Sequence, residues 1–138
     1  MRKPTIVLGA NDNPERYAYK AVDFLQSIKQ PIYPVGIKKG TVLGLEILHD
    51  FKDPKINEPI HTVTLYLNPF HQKEWYQPIL DLKPKRVIFN PGTENEEFEN
   101  MLEEAGIEVE EACTLVMVRT GVYYRLVAVR KHTFIRIG

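Results

Sequence analysis

Short apolar runs rich in β-branched residues recur in this chain about every 25 to 30 residues, with helical patterns or tight turns between them. They lie at Ile6–Leu8, Pro31–Gly36, His61–Leu67 and Lys85–Asn90, and a fifth begins at Ile107–Val109. This alternation constrains the fold more than any other feature. Parallel strands need crossover connections, and helices supply them while covering the faces of the sheet. The expected class is therefore α/β, with a mostly parallel five-stranded sheet.

The first unit sets the pattern. Ile6, Val7 and Leu8 read as a buried strand, and Gly9 and Ala10 turn the backbone with little side-chain bulk. Asn13 is placed to cap a helix and Pro14 to open it. Ala18, Ala21, Val22, Leu25 and Ile28 then form one apolar face. A helix N-terminus behind a tight loop presents unpaired N–H groups that suit a phosphate. The loop has only Gly9 where a dinucleotide fingerprint needs three glycines. An ordinary strand–helix turn and a ligand loop both fit this stretch.

Further along, Ile37–Gly44 is a loop carrying Lys38 and Lys39, and Leu45–Leu48 is a brief extended piece. Phe70–Leu82 reads as helical, with Trp75, Ile79 and Leu82 on its apolar side and a kink or fresh turn expected at Pro78. Thr93 and Glu96 have the spacing of a capping box. Phe98, Met101, Leu102 and Ala105 follow on one face, and Gly106 stops the helix. Glu94, Glu96, Glu97, Glu99, Glu103 and Glu104 read as its solvated face. Cys113–Val118 fits a strand or a helix, with Cys113 expected to be a buried, inert thiol.

From Arg119 to Gly138 there are five Lys or Arg residues and no acid. Tyr124–Val129 and Thr133–Ile137 could pair as a hairpin. Charged edge strands account for this composition more simply than a nucleic-acid surface does.

A length of 138 residues suits one domain. Lys plus Arg and Asp plus Glu both number 18, which gives no net pull toward nucleic acid or membrane. One cysteine excludes a disulfide framework and points to a reducing compartment. The apolar run after Arg2 and Lys3 is too short for a signal peptide or membrane span, so a cytoplasmic setting is expected.

In a parallel sheet, Gly9–Pro14, Val35–Lys39, Leu67–Phe70 and Asn90–Thr93 would all leave at the carboxyl ends of strands and line one crevice. An NAD site usually has an acid after the second strand. Here Val35-Gly-Ile-Lys-Lys39 carries two lysines instead. They favour a phosphorylated ribose or a diphosphate, as in NADP or coenzyme A. The four histidines show no metal-ligand spacing, and no catalytic motif stands out.

The segments Gly9–Lys20, Tyr33–Gly44, Leu65–Pro69 and Val87–Gly92, taken in this order, resemble the small stand-alone CoA-binding proteins. Those are similar in fold to the N-terminal domain of the succinyl-CoA synthetase α subunit. The resemblance implies a Rossmann-like three-layer domain over residues 1–123; residues 124–138 lie outside it and are expected, from their own pattern, to be a C-terminal extension forming a hairpin or edge strand. It implies binding of coenzyme A or an acyl-CoA, a small-molecule nucleotide ligand. The implied contacts are Gly9, Ala10, Asn11, Asn13, Pro14, Arg16 and Tyr17 in the first loop. Val35, Gly36, Lys38 and Lys39 follow in the second, then Leu67, Asn68, Pro69, Asn90, Pro91 and Gly92. The synthetase's phosphohistidine lies in another domain, so the implied role is a carrier, a sensor or a partner-dependent subunit, without activity of its own. An NADP-dependent oxidoreductase and a Rossmann-scaffold interaction module that forms homodimers are the other readings.

Overall fold

The computed structural model describes residues 2–124. Five parallel strands form one sheet: β1 (Thr5–Leu8), β2 (Ile32–Val35), β5 (Thr62–Leu65), β6 (Arg86–Phe89) and β7 (Glu108–Glu111). Their spatial order is β2-β1-β5-β6-β7. The chain thus runs outward to β2, then crosses over β1 to build the other half. This is a Rossmann-like arrangement with its switch point beside β1.

The side-chain alternation of the strands divides the core. Ile6, Leu8, Val63, Leu65, Val87 and Phe89 point to one face, where Trp75, Ile79, Phe98 and Leu102 cover them. Val7 and Ile88 point to the other face, against Ala18, Val22, Leu25 and Met117. The first cover comes from α3 (Tyr76–Leu82) and α4 (Glu96–Glu104), the second from α1 (Tyr17–Ser27) and α5 (Thr114–Thr120). Burying each large apolar side chain contributes about 1.5–3 kcal/mol.

A small antiparallel hairpin, β3 (Thr41–Val42) with β4 (Leu45–Glu46), follows β2. The lysine loop thus ends in a strand, and the extended piece expected at Leu45 is its partner. The open segment at Cys113 is the start of α5. The expected C-terminal hairpin lies outside the described residues, apart from Tyr124, which ends a short 3-10 turn (Val122–Tyr124).

Three boundaries differ from expectation. Helix α1 begins at Tyr17, three residues beyond Pro14, with Arg16 and not Asn13 in the cap position. Asn13 is occupied in the loop: its side-chain oxygen accepts the Glu15 N–H at 3.0 Å, and its own N–H donates to Asn11 Oδ1 at 2.9 Å. These local Asx bonds compete with the helix and win. Helix α4 is capped by Asn95, which accepts the Phe98 N–H, while Glu99 reaches back to the Asn95 N–H at 2.9 Å. Thr93 bonds the Asn90 carbonyl instead of capping. Glu99 is consequently buried and does not belong to the solvated face.

Between β5 and α3 lie α2 (Pro69–Gln72) and a 3-10 turn (Lys73–Trp75). The break precedes Tyr76, and Pro78 sits inside the first turn of α3. A proline costs no helical hydrogen bond there, because the first-turn N–H groups have no partner in any helix.

Candidate functional site

All four pairings of the sheet keep the strand ends level. Leu8 is opposite Val35 and Leu65, Leu65 is opposite Phe89, and Phe89 is opposite Glu111. The connecting loops therefore rise from one edge, and a cleft runs between them. One part, about 400 Å³, lies between the Gly9–Ala18 segment and Pro91–Thr93. The other, about 530 Å³, lies between the first loop, Gly36–Lys38 and Leu67–Trp75. Gly9, Asn11, Arg16, Tyr66, Leu67 and Asn68 border both.

Gly9 is the floor. Its φ is +94°, and a Cβ there would stand 2.9 Å from the Tyr66 carbonyl oxygen. Its N–H and that of Ala10 both donate to the Val35 carbonyl, at 2.9 and 3.1 Å. Those two donors hold the loop to β2 and are committed within the sheet. The first turn of α1 has no side-chain cap, and Arg16, Tyr17 and Ala18 border the cleft. Its unpaired N–H groups and positive dipole end favour an anion.

On the facing wall, Lys38 Nζ lies 3.9 Å from Asp12 Oδ1. Both side chains are about half exposed, so the pair is weak and screened by salt. Asp12 leans toward the second loop, with Oδ2 3.2 Å from the place a Cβ on Gly40 would take. The acid thus stands beside a lysine. His49 Nδ1 lies 2.6 Å from the Gly36 carbonyl oxygen and braces this loop from below.

The remaining wall is held from inside. Asn68 Oδ1 accepts the His71 N–H at 3.0 Å and caps α2, with Pro69 at its first position. Gln72, fully buried, donates to the carbonyls of Leu67 at 2.8 Å and Thr93 at 2.7 Å. Its Oε1 accepts from Asn95 at 2.9 Å. One side chain thereby fixes the loops after β5 and β6 to each other. Asn90 donates to Thr64 Oγ1 at 2.6 Å and the Leu65 carbonyl at 2.9 Å, and accepts the Thr114 N–H at 2.9 Å. Burial pushes the nearby Tyr66 hydroxyl well above its ordinary value and keeps it neutral.

Of the residues expected to meet a ligand, the cleft brings together Gly9, Ala10, Asn11, Arg16, Tyr17, Gly36, Lys38, Leu67, Asn68, Pro91 and Gly92. Asn13 and Pro14 stay in the outer turn of the loop, and Lys39 and Pro69 do not line either part. Val35 is wholly buried, and the Asn90 side chain is engaged in the interior. Tyr66, Ile37, His71 and Thr93 also border the cleft. Tyr66 was signalled by its place one residue past the last paired residue of β5, where a side chain leans over the strand end. Cys113 is half-buried, not fully buried, in a smaller recess beside Pro91. Among the described residues, no group of three or more metal-ligating side chains comes together, and no helix is long and apolar enough to cross a membrane.

A parallel sheet of this order, with a cleft at its carboxyl edge, defines a Rossmann-like ligand-binding domain. Residues 3–119 match the family described as CoA binding domain, and the chain belongs to that family. Among solved structures, an uncharacterised protein is 51% identical, with a TM-score of 0.83 over 88% of this chain and 98% of that one. A hypothetical protein from Pyrococcus horikoshii is 28% identical, with a TM-score of 0.75 over 82% of this chain and 79% of that one. A dinucleotide-forming acetyl-coenzyme A synthetase from Ca. Korarchaeum cryptofilum shares the fold at 17% identity, with a TM-score of 0.63 over 78% of this chain and 25% of that one. No curated protein matches.

Proposed function

We propose that the protein binds coenzyme A or an acyl-CoA in this cleft, as a carrier, sensor or partner-dependent subunit. The observation that carries the reading is the pairing of two cationic features across one cleft: the uncapped N-terminus of α1 beside Arg16, and Lys38 on the opposite loop. A ligand with phosphate groups at one end fits that pairing. Asn11 and the first turn of α1 would hold the diphosphate with Arg16. Lys38 would meet the phosphorylated ribose after parting from Asp12. The bound ligand would bring a thiol that carries acyl groups as thioesters. The protein's own residues orient it and supply no reacting group in this reading. A cytoplasmic setting agrees with a ligand of that kind.

Calorimetric titration of ligand-free protein with CoA, dephospho-CoA, NAD and NADP tests this. CoA should bind, and dephospho-CoA should bind more weakly. No affinity for CoA at millimolar concentration overturns the reading, and preference for NADP replaces it with the oxidoreductase one.

A further inference from the structure

The cleft has a side chamber. A recess of about 210 Å³ is lined by Tyr17, Tyr66, Asn90, Pro91, Cys113 and Leu115. It shares Tyr17, Tyr66 and Pro91 with the main cleft and opens from its β6 end. None of the described residues that line it is charged. The hydrogen-bonding groups of Asn90 are spent on Thr64, Leu65 and Thr114. The Tyr66 hydroxyl is shielded from solvent and lies by Thr64 and Thr114. What the recess offers is ring faces, a proline, a leucine and a thiol.

Its position matters as much as its lining. Arg16 and Lys38 belong to the β1 and β2 end of the edge, while the recess stands over β6 and the start of α5. Three strand spacings separate β2 from β6, about 14 Å. One end of the cleft therefore carries Arg16 and Lys38, with the acids Asp12 and Glu74 beside them, and the other end is lined by described residues without charge. CoA is long, with its phosphates at one end and its thiol at the other.

Resting on the CoA reading, we propose that this recess receives the acyl group of an acyl-CoA and selects short, uncharged chains. On the order of seven water-sized groups fill such a volume, which sets a limit near six carbons. An acyl group ending in a carboxylate would find no cation among the described residues of the recess and is disfavoured. Each methylene that the recess takes from water gives roughly a fourfold gain in affinity.

The test is a calorimetric series on the full chain with CoA, acetyl-, butyryl-, hexanoyl-, octanoyl- and succinyl-CoA. Butyryl-CoA, with three apolar carbons beyond its carbonyl, should bind roughly sixtyfold more tightly than CoA, octanoyl-CoA no more tightly than hexanoyl-CoA, and succinyl-CoA no more tightly than CoA. Leu115→Trp, at a half-buried position, should remove the butyryl advantage and keep CoA affinity. Equal affinity for CoA and butyryl-CoA overturns the chamber and leaves the CoA reading standing. A gain that continues through octanoyl-CoA, or a succinyl preference, also overturns it. Failure of CoA itself to bind overturns the reading beneath. The chain-length series needs no variant, so it decides the matter if Leu115→Trp does not fold.

Discussion

The side-chain oxygen of Asn90 accepts the backbone N–H of Thr114 at 2.9 Å, fastening the carboxyl end of β6 to the first turn of α5. The same side chain donates to Thr64 and Leu65 on the neighbouring strand. Asn90→Ala would leave the Thr114 N–H buried without this acceptor. The expected loss is about 2–3 kcal/mol of stability. Urea denaturation measures it, and a loss below about 0.5 kcal/mol would show that water replaces the bonds.

Gly9→Ala is expected to be costly twice over. The new methyl would meet the Tyr66 carbonyl at 2.9 Å, and the φ of +94° is a conformation alanine resists. Destabilisation of about 2 kcal/mol or more should accompany weaker CoA binding, because the loop must lift from the cleft floor. Thermal melting with and without CoA reads both effects. Unchanged melting would mean that the loop relaxes freely.

Asp12 restrains Lys38 at 3.9 Å. Asp12→Asn should raise CoA affinity by roughly threefold at low ionic strength, and the gain should shrink as salt is added. Lys38→Ala should lower affinity for CoA more than for dephospho-CoA. Equal losses for the two ligands would assign the 3′-phosphate to another residue.

His61 gives a pH dependence. Burial, with Lys3, Arg86 and Lys85 nearby, lowers its pKa from 6.5 to about 4. The unfolded chain then binds the proton more readily, so stability is complete above pH 6.5 and declines as pH falls toward 4. His61 is only half-buried, so the expected decline is about 1–2 kcal/mol after solvent screening. His61→Gln should flatten this slope in denaturation curves taken between those pH values. Glu110, whose carboxyl is pushed up by burial, works in the opposite direction. The effect is therefore read as the difference between the two proteins. An unchanged slope would assign the acid sensitivity elsewhere.

Strands β1, β2, β5 and β6 were legible as short, largely buried runs rich in apolar and β-branched residues, as the rule for parallel sheets requires. Strand β7, with three glutamates in its four residues, was marked only by its start at Ile107–Val109. The loops were legible where asparagine, proline and glycine stand at strand ends. Helix starts were less so. Asn13 and Thr93 have the chemistry of caps, but each spends its side chain on a nearer backbone group. Asn90 shows the same limit at the site. Its position predicted the wall of the cleft, while its three interior bonds depend on Thr64, Leu65 and Thr114, which only the fold brings near. Cys113–Val118 offered no period that separates a strand from a helix, and packing of Met117 and Val118 beneath α1 decides it.

The amino edge of the sheet is built differently from the carboxyl edge. Arg86 opens β6, donates to Thr62 at 2.8 Å, lies 3.7 Å from Glu110 and sits 4.3 Å over the ring of Tyr123. Lys3 Nζ lies 3.4 Å from His61 Nε2 beside it. These groups stand about 10 Å of strand away from the loops that follow Leu8, Leu65 and Phe89. The partners of Arg86 and Lys3 named here, Thr62, Glu110, Tyr123 and His61, do not border the cleft, so the free energies of changes at the two edges should largely add. Substitutions that strengthen the amino edge can therefore be combined with substitutions that retune the cleft. The fold separates durability from recognition along the length of its own strands.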